Sequence, residues 1–137
     1  ANKAIGAICS SDISLPLSEV PGFIETATLR IAKFGALRAN CFGHLGDGNL
    51  HYNIFPPAGG RVTDHVDIRE DLQQEVHRLA HELGGSVSAE HGVGRLKVND
   101  IATFCDPVKL QLMRQIKETL DPQGILNPGA VLPQKSG

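Results

Sequence analysis

The sequence feature that most constrains the fold of this chain is an Asp-Gly pair, Asp47-Gly48, that separates two short runs of alternating apolar character. Such a pair is a strong local signal for a tight β-hairpin, because a two-residue hairpin turn needs positive φ angles and both residue types tolerate them. The pattern predicts a hairpin with arms over 36–42 and 50–55. Counting outward from the turn pairs His44 with His51.

The two histidines are expected on one face of this hairpin. Side chains alternate along a strand, and directly opposed residues have Cβ atoms about 5 Å apart, so Phe42 and Asn53 are expected on the same face as His44 and His51. Two imidazole rings at that separation can bind one metal ion. The ordinary alternative is a pair of solvated histidines on an open sheet face. A register slip of one residue would separate the two rings.

A second stretch places a carboxylate beside another histidine. Glu90-His91 is followed by Gly92 and Gly94, which let the backbone turn tightly. Glu90 would complete a set of two histidines and one carboxylate, a set that holds Zn²⁺ in catalytic sites with an open coordination position. His91, next to a ligand, is suited to act as a base.

Composition excludes several classes of protein. The 137 residues carry a net charge of -2 and only 4% aromatic residues, so nucleic-acid binding is not expected. Three cysteines without a CxxC spacing indicate free thiols in a reducing compartment, which favours a cytoplasmic location. A partner protein could hold the chain at a membrane surface. No apolar run is long enough to span a bilayer. The length fits one domain over 1–137.

The order of elements predicts the fold class. The chain is predicted to begin with a strand over 12–15 and a helix from Ser18 to a stop at Gly35. The hairpin follows, then a helix from near Asp64 to Gly84-Gly85 and a strand over 86–88. This order is typical of an α+β, ferredoxin-like antiparallel sheet with both helices on one face, here followed by a C-terminal helix and an extended tail. The free sheet face would carry the histidines, and another domain or subunit would cover it.

Helical spacing predicts which residues each helix buries. The stripe of the middle helix comprises Val66, Leu72, Val76, Leu79 and Leu83. The pair His77 and His81 falls on the solvated face of that helix. Asp106-Pro107 supplies the N-cap and first-turn proline of the last helix. The buried row of that helix is expected to comprise Val108, Leu112, Ile116 and Leu120.

Three motifs in order resemble a known family. They are His44 through His51, Ser88 through Gly94, and Leu120-Asp121-Pro122 with Leu126-Asn127-Pro128-Gly129. Together they resemble the C-terminal substrate domain of FAD-linked oxidases, the group of D-lactate dehydrogenase, glycolate oxidase flavoprotein subunit and D-2-hydroxyglutarate dehydrogenase, whose flavin domain is of the vanillyl-alcohol-oxidase type. The resemblance covers about residues 12–133.

The resemblance implies a role for particular residues. The implied metal ligands are His44, His51 and Glu90, and the implied general base is His91. The resemblance also implies substrate contacts by Asn53 and Lys97 and a flavin contact by Asn127. It also implies oxidation of a small D-2-hydroxy acid to a 2-oxo acid with FAD and a divalent metal, zinc being the expected ion. Ser10 stands where relatives selective for dicarboxylates carry a lysine, so a smaller or more apolar hydroxy acid fits as well as D-2-hydroxyglutarate.

The flavin is expected to come from elsewhere. No GxGxxG sequence opens a helix after a strand, so FAD would be bound mainly by a flavin-binding domain outside this chain, in cis or in trans, and this chain alone would be inactive. A homodimer is a further expectation. Two alternatives remain at this stage: a free-standing metal-dependent hydrolase that uses the same ligands, and a non-catalytic ferredoxin-like binding module.

Overall fold

A computed structural model describes residues 6–133, which fall into two compact units that meet in the sequence between Glu90 and His91. The described part of the first unit contains three strands and two α-helices: β1 (Cys9–Ser14), α1 (Val20–Ile31), β2 (Arg38–Phe42), β3 (Asn49–Phe55) and α2 (Arg69–Glu82). The second unit contains α3 (Val98–Phe104) and α4 (Pro107–Leu120). Among the described residues, no helix is long and apolar enough to cross a membrane.

The three strands form an antiparallel sheet in the order β1-β3-β2. The predicted fourth strand over 86–88 is reduced to a single bridge, in which Ser14 and Ser86 exchange backbone hydrogen bonds of 3.0 and 2.8 Å at the outer edge of β1. This bridge occupies the position that the last strand has in a ferredoxin-like sheet. The predicted α+β class is confirmed.

The predicted two-residue turn at Asp47-Gly48 is wrong. Leu45–Asp47 instead forms a 3₁₀ turn, and only Gly48 has a positive φ angle, of 66°. The longer loop shifts the register so that His51 pairs with Phe42 rather than with His44, which lies outside the strands. The shift is by two residues, an even number, so Phe42, His51 and Asn53 still share one face, as predicted.

The hydrophobic core of the first unit lies between the sheet and the two helices. From the sheet, Ile13, Leu50, Tyr52 and Ile54 point into this core, and α1 contributes Val20, Phe23, Ala27 and Ile31. Phe23 packs edge-on against Tyr52 with ring centroids 5.5 Å apart. Ile24 of the same helix is exposed, whereas Phe23, one residue earlier, is fully buried.

Helix α2 differs from its prediction in two respects. It begins at Arg69 because residues Val62–His65 form a separate 3₁₀ turn, which leaves Val66 exposed. His77 was predicted on the solvated face, yet its side chain is fully buried. The buried face of α2 includes His77 and Ala80 besides the predicted stripe, so it is wider than one row. Because His81 is exposed, the two histidines do not share a solvated surface.

In the second unit, helix α4 begins at the predicted residue, but the row of apolar side chains predicted to be buried is exposed. Asp106 caps the helix, since its Oδ1 accepts hydrogen bonds of 2.9 Å from the backbone amides of Val108 and Lys109. The row predicted to be buried is exposed, with exposed fractions of 65, 54, 60 and 74% for Val108, Leu112, Ile116 and Leu120. Every apolar side chain that is buried in the described chain lies between Ile8 and Val87. The second unit, as described, therefore supplies no core for this row.

The extended tail after α4 is organised by Asp121. Its carboxylate accepts hydrogen bonds from the backbone amides of Ile125, at 3.0 Å, and Leu126, at 2.9 Å, and from the ammonium group of Lys117. Further along, the amide of Val131 donates to the carbonyl of Gly94 at 2.7 Å. The tail is thus an ordered extension held by polar contacts within the second unit.

Candidate functional site

The candidate site lies on the sheet face opposite the hydrophobic core. Strand pairing places polar side chains there in two neighbouring rows: Asp12 of β1 lies opposite His51, and Ser10 lies opposite Asn53. On the other side of β3, Phe42 lies beside His51. Strand alternation explains this arrangement, because the residues between them point into the core.

The carboxylate of Glu90 lies between the two predicted histidine ligands. Its Oε1 is 3.1 Å from Nε2 of His51, and its Oε2 is 3.5 Å from Nδ1 of His44. The His44 ring is mostly exposed, while the His51 ring is mostly shielded. The structure therefore brings together the three residues that the sequence analysis selected as metal ligands. The two histidines are close although His51 pairs with Phe42 and not, as predicted, with His44.

Two backbone contacts bring these three residues to one place. The amide of Leu15 donates to the carbonyl of Gly48 at 2.9 Å, which fastens the loop carrying His44 to the end of β1. The Ser14–Ser86 bridge fastens the segment that leads to Glu90 to the same strand end. Both segments are therefore held at the end of β1, near His51 on the neighbouring strand.

Sequence reasoning missed Asp12 as a site residue. Only 7% of its surface is exposed, and its Oδ1 lies 3.8 Å from Nδ1 of His51. Asp12, His51 and Glu90 can each offer a ligand atom, and these atoms lie within 4.8 Å of one another. Alternation with Ile13 does put Asp12 on the polar face of its strand. No local signal, however, indicates that β1 pairs with β3 beside His51.

The His51 ring is also held by an aromatic neighbour. The rings of Phe42 and His51 have centroids 5.2 Å apart and planes inclined by 46°. In the next row, the amide nitrogen of Asn53 donates to the side-chain oxygen of Asn40 at 3.5 Å, and Asn53 is buried. The face thus presents a fixed imidazole and a fixed amide side by side.

A recess opens next to the ligand set. Its volume is about 450 Å³, and its lining includes Ser14, His44, Asp47, Asn49 and Glu90. A recess of this size, lined by polar groups, can admit a small hydroxy acid. Two imidazoles and a carboxylate that converge beside it are nitrogen and oxygen donors that suit Zn²⁺ and related divalent ions.

The remaining predicted site residues belong to the second unit. His91 is its first residue and is exposed, Lys97 is partly buried and directly precedes α3, and Asn127 is exposed in the tail with a positive φ angle of 47°. The roles assigned to these three residues stay predictions.

The fold and this polar face define an α+β domain with a candidate divalent-metal site on its sheet. Comparison with known families gives the class of protein: the model for "FAD linked oxidases, C-terminal domain" matches residues 1–131. The chain belongs to this family.

Individual relatives carry more specific names. The chain is 41% identical over 131 residues to an FAD-linked oxidoreductase of Mycobacterium tuberculosis, a match that covers 96% of this chain and 27% of the relative. It is 38% identical over 133 residues to the mitochondrial D-2-hydroxyglutarate dehydrogenase of Arabidopsis thaliana, covering 97% of this chain and 22% of the relative. The corresponding rat enzyme is 37% identical over 131 residues, covering 96% and 23%. The chain thus spans about a quarter of the length of these relatives.

Proposed function

We propose that this chain is the substrate- and metal-binding domain of an FAD-dependent dehydrogenase that oxidises a small D-2-hydroxy acid to the 2-oxo acid. The observation that carries the proposal is the carboxylate of Glu90, which directs one oxygen at His51 and the other at His44. Membership in the family of FAD-linked oxidase C-terminal domains, and relatives named D-2-hydroxyglutarate dehydrogenases, support the same chemistry.

In this proposal, His44, His51 and Glu90 hold a divalent ion, zinc being the expected one. When bound, such an ion supplies positive charge that favours the ionised form of a substrate hydroxyl. The recess beside Glu90 is the proposed place of the substrate. Asn53 and Lys97 are the substrate-contacting residues that the family resemblance implies. His91 accepts the hydroxyl proton as general base.

The oxidation removes the equivalent of a hydride from the substrate in addition to that proton. FAD, bound mainly by a flavin-binding domain in cis or in trans, supplies the acceptor for the hydrogen on the substrate Cα. Asn127 is the residue of this chain proposed to contact the flavin. The predicted homodimer and cytoplasmic location are further expectations of the same proposal.

The exposed row of α4 supports the need for a partner domain. Four large aliphatic side chains at a spacing of four residues, each more than half exposed, form the kind of apolar strip that normally marks an interface. The relatives carry about three quarters of their length outside the matched region. We therefore assign this row to contact with the flavin-binding domain.

Metal content tests the ligand assignment. The wild-type chain and the variants His44→Ala, His51→Ala and Glu90→Gln would be loaded with zinc, dialysed and assayed by elemental analysis. We expect one zinc per wild-type chain and loss of bound zinc in each variant. His81→Ala is the matched control, because His81 is an exposed histidine of α2 and should leave the zinc content unchanged. A wild-type chain without zinc, or zinc retained in all three variants, would contradict the assignment.

Flavin reduction tests the reaction. With the flavin-binding domain present, D-2-hydroxy acids should bleach the flavin absorbance, and His91→Ala should slow that bleaching by about 10²- to 10⁴-fold, the usual contribution of a general base, while zinc content is unchanged. Hydrolysis of esters by the chain alone, with no flavin reduction, would favour the hydrolase instead. A chain that neither binds zinc nor supports flavin reduction would be a binding module.

A further inference from the structure

A cavity of about 620 Å³ lies within the second unit, between α4 and the extended tail. Helix α4 contributes Arg114, Lys117 and Glu118 to its lining, and the tail contributes residues between 121 and 133. Among the described residues, none lines both this cavity and the recess beside Glu90. The cavity is therefore a second candidate binding place, built from different residues than the proposed metal site.

Specific contacts fix the tail that forms one wall of this cavity. The ammonium group of Lys117 donates to the carbonyl of Leu126 at 2.6 Å, and the amide of Val131 donates to the carbonyl of Gly94. Val131 has a φ angle of 65° although its side chain is β-branched, and Asn127 has one of 47°. Such a backbone persists only where the surrounding structure holds it. The tail wall of the cavity is therefore set in one conformation by the rest of the unit.

The charged groups of the lining are not equally satisfied. Lys117 and Asp121 compensate each other, because the ammonium group donates to the carboxylate, which also accepts from two backbone amides. Glu118, the other carboxylate of the lining, is exposed to water. Arg114 is partly buried, and its Nε is shielded from water without a hydrogen-bond partner among residues 6–133. A guanidinium keeps its charge, and a buried donor without an acceptor is costly, so an acceptor from a bound molecule would remove that cost.

We propose that this cavity binds a small anion through Arg114, a molecule that carries a phosphate or a carboxylate group. The planar guanidinium offers paired N–H donors whose spacing matches two oxygens of either group. The side-chain amides of Gln123 and Asn127 line the same cavity and offer further N–H donors. The proposal requires neither a metal ion nor a flavin, so it stands apart from the proposed function.

NMR titration of the metal-free chain tests for the anion, with inorganic phosphate as one probe and acetate as the other. We expect saturable shifts of the backbone amides of Gly124 and Gly129, two glycines of the cavity lining. Tighter binding of phosphate would identify a phosphate compound as the ligand class, and tighter binding of acetate would identify a carboxylate. If neither probe shifts these amides, the proposal is overturned.

Variants of Arg114 test whether this side chain holds the anion. Arg114→Gln should weaken binding of the preferred probe by about 10-fold or more, the usual value of a hydrogen bond between charged groups. Arg114→Lys keeps the charge but lacks the paired donors, so its affinity should fall between those of Arg114→Gln and the wild type. Lys109→Gln is the charge-matched control, because Lys109 is exposed on the same helix and does not line the cavity. Equal binding by Arg114→Gln and the wild type would refute the assignment.

Amide hydrogen exchange in the tail shows whether a variant loses the anion or loses the cavity. Weaker binding by Arg114→Gln with unchanged exchange assigns the loss to the guanidinium. If exchange accelerates in that variant, the wild type and Arg114→Lys decide: the bound probe should slow exchange in the tail of the wild type, and less so in Arg114→Lys. A probe that protects the tail equally in both, or in neither, would overturn the proposal. Failure of the chain to bind zinc would contradict the proposed function and leave these outcomes unaffected.

Discussion

Gly48 offers the sharpest test of how the loop carrying His44 is built. This residue has a φ angle of 66°, and its carbonyl accepts the hydrogen bond from Leu15. A Cβ atom at this position would lie 2.0 Å from the carbonyl oxygen of Leu15, a backbone atom that cannot rotate away. The substitution Gly48→Ala should therefore separate the loop from the end of β1.

The expected loss of stability follows from two contributions. A left-handed backbone costs an L-residue about 1–2 kcal/mol, and relief of the clash should break the Leu15–Gly48 hydrogen bond, worth about 1 kcal/mol. The free energy of unfolding should fall by about 2–3 kcal/mol, out of the roughly 5–15 kcal/mol that is typical of a domain.

Urea denaturation gives this free energy, and chelator competition gives the zinc affinity of the same samples. Zinc affinity should fall as well, because His44 loses its fixed place beside Glu90. Gly46→Ala is the control within the same turn: no atom lies within 4 Å of the point that its new methyl group would occupy, and its φ angle is not positive. The reasoning is refuted if Gly48→Ala unfolds within about 0.5 kcal/mol of the wild type, or if Gly46→Ala loses as much.

Three other predictions concern residues away from the metal ligands. Phe23→Ala should lower the free energy of unfolding by about 3–5 kcal/mol in urea denaturation, because it removes a fully buried ring and its contact with Tyr52; a loss below about 1 kcal/mol would contradict the packing. The hydrogen bond from Lys117 and those from two backbone amides lower the pKa of Asp121. The stabilising effect of the Asp121 carboxylate is therefore present above the ordinary aspartate pKa and is lost as the pH falls through the lowered pKa. Amide hydrogen exchange in the tail should accelerate in acid in the wild type. In Asp121→Asn, the same fall in pH should leave the exchange rate in the tail unchanged. Burial raises the pKa of Cys9 to about 11, so iodoacetamide at neutral pH should modify it only after unfolding, and rapid labelling in the native chain would disprove its burial.

Local sequence was sufficient for much of the sheet. Alternation along 50–55 assigned His51 and Asn53 to the polar face, and this assignment is correct even though the turn between the strands is not a two-residue one. Side chains in a strand repeat every two residues, so a register error of two preserves the face. The cap at Asp106 was equally readable, because capping depends only on residues within one helical turn.

Helix packing was less predictable for a physical reason. Periodicity finds an apolar row but does not say whether another element covers it. Thus the row of α4 that begins at Val108 is exposed among the described residues, whereas His77 of α2 is fully buried. Both results depend on which surface lies opposite the helix, and that information is far away in the sequence.

The sequence by itself determined the α+β class, the polar face of the sheet and the residue types capable of holding a divalent ion. Only the tertiary structure decided how they meet: Glu90 reaches both histidines because the Ser14–Ser86 bridge ties its segment to β1, and Asp12 reaches His51 because β1 pairs with β3. Each of these contacts joins residues more than thirty positions apart. Such contacts arise from the packing of the whole unit on its core, which no local pattern encodes.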